Sequence, residues 1–240
     1  MIRLALLLTL LPVAGAASTC RDMTFDGASY SLCEVTLADD LRLFHSGPDG
    51  VFGSFRDVNA ALNAQGKALG FAMNAGMYHR DLDPVGLYIE NGVETAGLVT
   101  RDGPGNFGLL PNGVFCWGES FRVIESRAFK AEGPACRFAT QSGPMLVIDG
   151  KLHPRFLPAS DSTYIRNGVS VSADGTRAVF AISNDSVNFH AFARLFRDEL
   201  GLPNALYLDG SISRLYAPEL SRHDAGFPMG PIVGTVVPQG

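Results

Sequence analysis

Short apolar runs separated by turn residues dominate the chain, and this pattern predicts many β-hairpins. Asn91-Gly92, which follows a predicted strand over Gly86–Glu90, is typical of a tight two-residue hairpin turn. A further strand is predicted over Phe121–Glu125. The other predicted hairpins pair Cys33–Leu37 with Leu41–His45, Phe107–Leu110 with Val114–Trp117, Met145–Ile148 with Lys151–His153, and Gly168–Ser172 with Arg177–Ser183.

Apolar residues recur at helical spacing in two segments, 55–62 and 187–200, and predict two helices packed on the strands. Asp185 or Ser186 is expected to cap the start of the second helix, and Gly201 is expected to end it. An apolar strand follows, so Asp209 is expected at the carboxyl end of a strand beside a packed helix. Catalytic groups often occupy that position in sheets of this kind.

Composition supports one globular domain without repeats or linkers. The chain has 240 residues, of which 46% are hydrophobic, and its 27 glycines and 14 prolines suit many short strands better than a helical bundle. The predicted class is α+β, a single domain over residues 17–240 with a mixed β-sheet rich in hairpins and a few packed helices. The net charge of −5 argues against a nucleic-acid partner.

The first residues have the pattern of a signal peptide over residues 1–16. A basic start at Arg3 precedes the apolar run Leu4–Val13 and the small residues Ala14-Gly15-Ala16. This run is too short to span a bilayer, and no later segment is long and uncharged enough. We expect cleavage after residue 16 or 17 and a periplasmic or secreted protein without a membrane span. A lipid anchor on Cys20 is an alternative, although the residues before it do not match the usual signal.

Four cysteines in an exported chain favour two disulfides. Of the three possible connectivities, Cys20–Cys33 with Cys116–Cys136 is the most local. Zinc is disfavoured because the cysteine spacings are not those of zinc ligands. Asp81 and Asp83 could contribute to a calcium site, but a solvated loop is the favoured interpretation, so no metal site is predicted.

Polar residues collect beside glycine at four strand boundaries, where the backbone can approach a ligand closely or turn tightly. Each stretch alone could be an ordinary turn, but four of them favour a shared cleft. The stretches contain Asn74 and Gly76; Gln141, Ser142, Gly143 and Pro144; Arg166, Asn167 and Gly168; and Asp209, Gly210, Ser211 and Ser213. No serine-hydrolase elbow and no phosphate-binding glycine loop occurs.

Together, "NAGMY", "ATQSGPMLVIDG", "IRNGVSV" and "NALYLDGSIS" resemble the motifs of the phosphodiester glycosidase family. This is the N-acetylglucosamine-1-phosphodiester alpha-N-acetylglucosaminidase-like domain, here similar to its exported bacterial short form. The resemblance runs from about Phe71 to the C-terminus. Ala75, Met77-Tyr78 and Ser211 depart from the family's pattern, as does Asn167-Gly168, where many members have Thr-Ala.

The resemblance implies an exported glycosidase that hydrolyses a sugar 1-phosphodiester bond in an envelope or extracellular glycan. It implies catalytic roles for Asp209, Arg166 and Asn74. The substrate-binding residues it implies are Gly76, Gln141, Gly143, Gly210, Ser211 and Ser213. In this scheme Arg166 supplies a donor fork for phosphate and Asp209 a carboxylate near the anomeric carbon. No cofactor is expected, with a divalent cation near Asp209 as an open alternative.

Two other function classes fit the same residues. The cluster could bind envelope glycan without cleaving it, with Asp209 accepting hydrogen bonds from sugar hydroxyls. Alternatively, the four stretches are glycine turns of a structural envelope protein. Turnover of a sugar phosphodiester separates the first hypothesis from both alternatives, and binding to a glycan array separates the alternatives from each other.

Overall fold

The structure is a computed structural model that describes residues 18–239. Its strands, in chain order, are β1 (Thr19–Phe25), β2 (Ala28–Thr36), β3 (Leu41–Phe44), β4 (Ser46–Gly47), β5 (Gly50–Val51), β6 (Lys67–Asn74), β7 (Tyr88–Glu90), β8 (Val93–Ala96), β9 (Gly113–Trp117), β10 (Phe121–Glu125), β11 (Phe138–Ser142), β12 (Met145–Ile148), β13 (Lys151–Leu152), β14 (Asn167–Val171), β15 (Arg177–Ser183), β16 (Asn204–Asp209), β17 (Leu215–Ala217), β18 (Arg222–His223) and β19 (Ile232–Pro238). The helices are α1 (Phe55–Asn63), α2 (Ser126–Glu132) and α3 (Phe189–Arg194), which continues as a π-helical turn over Leu195–Glu199; a 3₁₀ turn covers Pro218–Leu220.

Three sheets carry the fold within residues 18–239. A seven-stranded sheet has the order β1-β2-β15-β14-β16-β12-β13. Two five-stranded sheets have the orders β10-β9-β11-β7-β8 and β18-β17-β6-β19-β3, and β4 and β5 form a small ribbon. The strand boundaries predicted to form one cleft include the ends of β6 and β16. These two strands belong to different sheets, so such a cleft can form only where two sheets meet.

The main core lies between these sheets. Strand β16 shows how the alternation of side chains builds it, because Leu206 and Leu208 enter this core while Ala205 and Tyr207 face a second cluster under α3. The central core draws aromatic residues from all three sheets, including Phe71, Phe115, Trp117, Phe138 and Phe180. Helix α1 covers the outer face of the sheet that contains β6. Strand β16 is packed against apolar residues on both faces. The backbone at its end is therefore well fixed, and so is the position of a side chain attached there.

The predicted α+β class, with one domain rich in hairpins, is confirmed. The β7–β8, β12–β13 and β14–β15 hairpins form at the predicted turns. The sequence predicted a mixed sheet, whereas the ladders between the described strands are all antiparallel.

Two predicted hairpins are wrong. Segments 33–37 and 41–45 do not pair, because β2 already has β1 on one edge and β15 on the other, while β3 pairs with β19 in another sheet. The segment Phe107–Leu110 is not a strand. It forms a turn held by the Asn112 amide, which donates to the Phe107 carbonyl oxygen at 3.0 Å, and β9 pairs with β10 and β11 instead.

The two predicted helices are present, but the second begins later than predicted. Asn188 is its N-cap, and the Oδ1 atom accepts a hydrogen bond from the Ala191 amide at 2.9 Å. Asp185 instead accepts from the Ser29 amide at 2.8 Å. Val187 is held extended by pairing with Tyr164. The sequence analysis did not identify β1 or the short helix α2.

Both predicted disulfides are present, Cys20–Cys33 and Cys116–Cys136, and they account for all four cysteines. Cys20 and Cys33 lie directly opposite each other in the β1–β2 ladder. The predicted signal peptide over residues 1–16 lies outside the described residues. None of the helices within residues 18–239 is long and apolar enough to cross a membrane.

The Cys116–Cys136 bridge spans a sequence separation of 20 residues. Closing a loop of this size removes entropy from the unfolded chain and should stabilise the protein by about 3 kcal/mol. Replacing both cysteines with alanine should therefore lower the free energy of unfolding by that amount, measured by urea denaturation. Peptide mapping of the unreduced wild-type protein provides the control. Free, alkylatable thiols at both positions would contradict the prediction.

Candidate active site

Two sheets meet at a pair of buried asparagines. Asn74 ends β6, and Asn167 begins β14, where it lies opposite Asp209 at the end of β16. The Asn167 amide nitrogen donates to the main-chain oxygen of Asn74 at 2.8 Å and to its side-chain oxygen at 3.1 Å. Its own side-chain oxygen accepts from the Asp209 main-chain amide at 2.9 Å. The structure thus brings Asn74 and Asp209 together through Asn167, a residue of the predicted cleft to which no catalytic or binding role was assigned.

The Asp209 side chain is almost fully enclosed, with 8% of the residue exposed. Its Oδ1 atom accepts from the main-chain amides of Gly210 at 2.6 Å and Ser211 at 3.0 Å. Burial raises the pKa of Asp209, and hydrogen bonds from Ser211, Gly210, Ile212 and the Asn74 side chain partly oppose that shift. A carboxylate that is desolvated yet aligned by fixed donors is typical of a functional group rather than of a surface turn.

The turn after Asp209 is held by its own residues. The Ser213 hydroxyl donates to the Asp209 carbonyl oxygen at 2.7 Å, while Ser211 is exposed. Residue 210 has to be glycine because the Tyr207 side chain lies against its backbone. A Cβ atom there would lie 1.7 Å from the Tyr207 hydroxyl oxygen. Of the predicted substrate-binding residues, Ser211 is therefore the one whose side chain is available to a ligand.

Arg166 does not present a donor fork to a ligand, and this corrects its predicted role. The residue is fully buried, and its guanidinium donates to protein atoms from all three nitrogens. Nε bonds the Val187 carbonyl at 2.7 Å, Nη2 the Ser162 carbonyl at 2.8 Å, and Nη1 the Tyr207 hydroxyl at 3.3 Å. Because no part of Arg166 is exposed, a phosphate could reach this group only if the residues that cover it moved.

Aromatic rings complete the surroundings of Arg166. Its guanidinium carbon lies 3.7 Å from the centre of the Phe189 ring, which is within the range of a cation–π contact. Desolvation by burial lowers the pKa of Arg166 from its ordinary value. Arg166 bonds the Tyr207 hydroxyl, and this hydroxyl lies close to Gly210. The arginine thus helps to hold the turn after Asp209 through Tyr207.

Gln141 is also structural, contrary to its predicted role in substrate binding. Its Oε1 atom accepts from the amides of Leu87 and Val99, each at 3.0 Å. Its Nε2 atom donates to the Val99 carbonyl at 2.5 Å and to the Ser126 hydroxyl at 2.8 Å. All four hydrogen-bonding positions of the amide are therefore used inside the protein, where they fix the segment that follows β8.

Gly76 and Gly143 serve close packing. A Cβ atom at Gly76 would lie 3.0 Å from the Thr140 hydroxyl, and one at Gly143 would lie 2.6 Å from the Cβ atom of Asn112. Both residues are buried. Glycine is therefore needed at these two positions because neighbouring segments of the protein pack against them, and no ligand has to be invoked.

Two residues near Asp209, Arg214 and Tyr78, do not follow from the sequence motifs. Arg214 donates from its main-chain amide to the Asn74 side chain at 3.1 Å, and its guanidinium donates to the Phe227 carbonyl. Burial raises the pKa of Tyr78, as does the charge of Asp209, while the charge of Arg214 opposes them. The position of Arg214 directly after the Asp209–Ser213 turn was the available signal.

The candidate active site combines one buried carboxylate (Asp209), two buried amides (Asn74 and Asn167), one hydroxyl accessible to a ligand (Ser211) and one partly exposed cation (Arg214). Within residues 18–239, no group of three or more His, Cys, Asp or Glu side chains is arranged to hold a metal ion.

Comparison with known proteins gives three results. The sequence profile described as phosphodiester glycosidase matches residues 67–226. The uncharacterised protein YigE of Escherichia coli K12 is 38% identical over 219 residues, which cover 89% of this chain and 84% of YigE. The catalytic domain of zebrafish N-acetylglucosamine-1-phosphodiester alpha-N-acetylglucosaminidase, solved in a form auto-inhibited by its pro-peptide, has a similar fold. The TM-score between the two structures is 0.60, and their sequences are 13% identical. The matched part covers 91% of this chain and 81% of the zebrafish chain.

The buried position of Arg166 predicts a structural phenotype. Arg166→Lys should lower the free energy of unfolding by at least about 2 kcal/mol, because lysine cannot reach the three oxygens together or stack its head group on Phe189. Urea denaturation measures this, with the exposed Arg21→Lys as the matched control that should unfold like the wild type. An Arg166→Lys protein of unchanged stability would contradict the structural role.

Proposed function

Because the chain belongs to the phosphodiester glycosidase family, we propose that it hydrolyses the bond between a sugar and the phosphate of a sugar 1-phosphodiester in an envelope or extracellular glycan. The observation that carries this proposal is the buried Asp209 carboxylate, which main-chain amides align. Asn167 links its strand end to Asn74, and Asn74 in turn accepts from the amide of the partly exposed Arg214.

The chemistry requires stabilisation of positive charge at the anomeric carbon. When the bond between that carbon and the phosphate oxygen breaks, its electron pair leaves with the phosphate, and water later adds to the carbon and loses a proton. The products are a free sugar and a phosphate monoester. Since this phosphate is a stable anion, the acid that other glycosidases use to protonate the leaving oxygen is less necessary. Asp209 supplies the negative charge at the carbon, either by electrostatic stabilisation or by direct attack.

Neutral groups around Asp209 orient it and the sugar. The Asn74 side chain lowers the pKa of Asp209, and Asn167 links Asn74 to the Asp209 amide, so we assign Asn74 the role of positioning the carboxylate. The exposed Ser211 hydroxyl is free to bond a sugar hydroxyl, whereas Ser213 is used in holding the turn. Gly210 allows the turn to lie directly on Tyr207.

Arg214 takes the phosphate-binding role that the sequence analysis gave to Arg166. It follows the Asp209 turn directly and is partly exposed. Its guanidinium bonds a carbonyl oxygen, and within residues 18–239 it is not paired with a carboxylate. Its positive charge is thus available to an anion, and a guanidinium suits two phosphate oxygens better than an ammonium does.

Turnover of defined substrates tests the proposed function. The panel consists of several sugars, each joined through its 1-phosphate to nitrophenol, and the name of the zebrafish relative makes N-acetylglucosamine the first of them. Added phosphatase then releases nitrophenol from the nitrophenyl phosphate product. We expect turnover of at least one member. Sugar-phosphate binding without turnover of any member would favour the glycan-binding alternative.

The same assay tests Arg214. We expect Arg214→Ala to lose at least about 2 kcal/mol of transition-state stabilisation, or roughly thirtyfold in kcat/KM, because a charged donor to the departing phosphate is removed. The matched control is Arg21→Ala on the exposed strand β1, which should keep wild-type kinetics. An unchanged kcat/KM in Arg214→Ala would remove this residue from the site.

The raised pKa of Asp209 predicts the acid side of the pH profile. The ionised carboxylate is the active form, so activity should be lost as the pH falls through the pKa of Asp209 in the folded protein. Because burial raises that pKa above the ordinary value of 3.8, the acid limb of kcat/KM should lie above 3.8. Circular dichroism over the same range controls for unfolding. A limb at or below 3.8 in folded protein would contradict this assignment.

Export to the periplasm or medium is part of the same proposal. Two disulfides fit an oxidising compartment, and the pattern of residues 1–16 fits a signal peptide. We expect the intact mass of the protein recovered from outside the cytosol to correspond to a chain beginning at Ala17 or Ser18. A mass that retains Leu4–Val13, or a diacylglycerol on Cys20, would contradict it.

A further inference from the structure

A groove of about 510 Å³ opens beside the candidate active site, and Arg214 forms part of its wall. The main-chain amide of Arg214 donates to the Asn74 side chain, and Asn167 links Asn74 to the Asp209 amide, so the Arg214 wall of the groove adjoins the proposed reaction centre. The Tyr78 hydroxyl donates to the carbonyl of Pro228, another wall residue, at 3.2 Å. The groove is therefore continuous with the position proposed for the phosphate.

The other walls of this groove are largely apolar. They include Phe52, Phe55, Leu82, Pro228 and Met229. A second cavity of about 470 Å³ shares Phe55 and Ala225 with the first and extends the path along α1. Polar residues, among them Asn59, Asn63 and His223, line part of that second cavity, so the apolar space for a group beyond the phosphate is the first groove.

The charges along the groove are compensated except at its inner end. Arg56 pairs with Asp57 at 3.1 Å, and Asp224 pairs with Arg222 at 2.9 Å. The start of α1 is already capped, since the Ser54 hydroxyl accepts from the Asp57 amide at 3.2 Å. The other charged residues that line the first groove are thus already paired. The complementary ligand has one negative charge at Arg214 and an apolar group beyond it.

We propose that this groove binds the alcohol group of the phosphodiester substrate, and that this group is an apolar alkyl or aryl chain. This assignment rests on the proposed function and narrows its substrate class. The sugar lies at Asp209, the phosphate contacts Arg214, and the chain lies between Phe52, Phe55 and Met229. After hydrolysis the groove retains an alkyl or aryl phosphate, which is the product that dissociates from this side.

Binding of two simple products tests the groove without any turnover. We compare hexyl phosphate with methyl phosphate by titration calorimetry on the full mature protein. Hexyl phosphate should bind at least tenfold more tightly, which corresponds to about 1.4 kcal/mol. The advantage is expected because only the longer chain removes apolar surface from water in the groove. Equal affinities, or no binding of either phosphate, would overturn the proposal.

Two variants locate the effect. Ala225 is exposed and lines both cavities, so Ala225→Glu places a charge in the path of the chain. The hexyl advantage should fall below threefold, and the ratio is informative because repulsion of the phosphate affects both ligands alike. Val93→Glu, on the exposed strand β8 of another sheet, should keep the full ratio. An unchanged ratio in Ala225→Glu would place the chain elsewhere.

The outcomes separate the groove from the reaction. Turnover of the sugar phosphodiester panel together with equal binding of the two phosphates would overturn the groove and leave the hydrolytic function standing. Selective binding of hexyl phosphate, lost in Ala225→Glu, would support the groove even if no member of the panel were hydrolysed.

Discussion

The amide of Asn167 holds the site together. It is fully buried and bridges two sheets, donating to Asn74 at the end of β6 and accepting from the Asp209 amide at the end of β16. A buried amide must use both its donor and its acceptor, and here each side bonds a different sheet. The separation between the two strand ends is thereby fixed. Without this bridge, the carboxylate of one sheet would have no defined relation to the amide of the other.

Contacts between Arg166, Tyr207 and Gly210 help to hold the turn that follows Asp209. Arg166 lies against Phe189 and bonds Tyr207, whose hydroxyl touches the turn at Gly210. A fully buried arginine is costly to desolvate, and it is retained here with its donors on carbonyl oxygens and a tyrosine rather than on a carboxylate. The buried cation, Arg166, is thus shielded from ligands, whereas Arg214 is partly exposed. The negative charge of Asp209 is stabilised mainly by main-chain donors, which leaves it available to a positive centre.

Local pattern predicted what depends on local sequence. Alternation along β16 and the helix before it placed Asp209 at a strand end, and turn residues located three of the hairpins. The roles of Arg166 and Gln141 could not be predicted in this way, because a polar residue beside a strand-end glycine has the same pattern whether it faces a cleft or the core. Their burial depends on distant partners such as Val187 and Val99. The failed pairing of segments 33–37 and 41–45 has a similar cause, since β15, which occupies the edge of β2, comes from more than a hundred residues further along the chain.

We propose that Asp209 is kept as a carboxylate for chemistry at some cost to the stability of the fold. Burial raises the pKa of Asp209 in the folded state, so the free energy of unfolding falls as the pH rises from the unfolded pKa of this carboxyl through its folded pKa. Above that range, the ionised carboxylate makes the fold less stable than a neutral side chain of the same shape would. Asp209→Asn keeps an oxygen for the Gly210 and Ser211 amides but removes the charge. Melting temperature and turnover should be measured at pH 7 on the same preparation. We expect a melting temperature equal to or above that of the wild type, and a loss of at least about 3 kcal/mol in transition-state stabilisation, or roughly a hundredfold in rate. A variant that melts earlier yet keeps a near-normal rate per folded molecule would contradict the account.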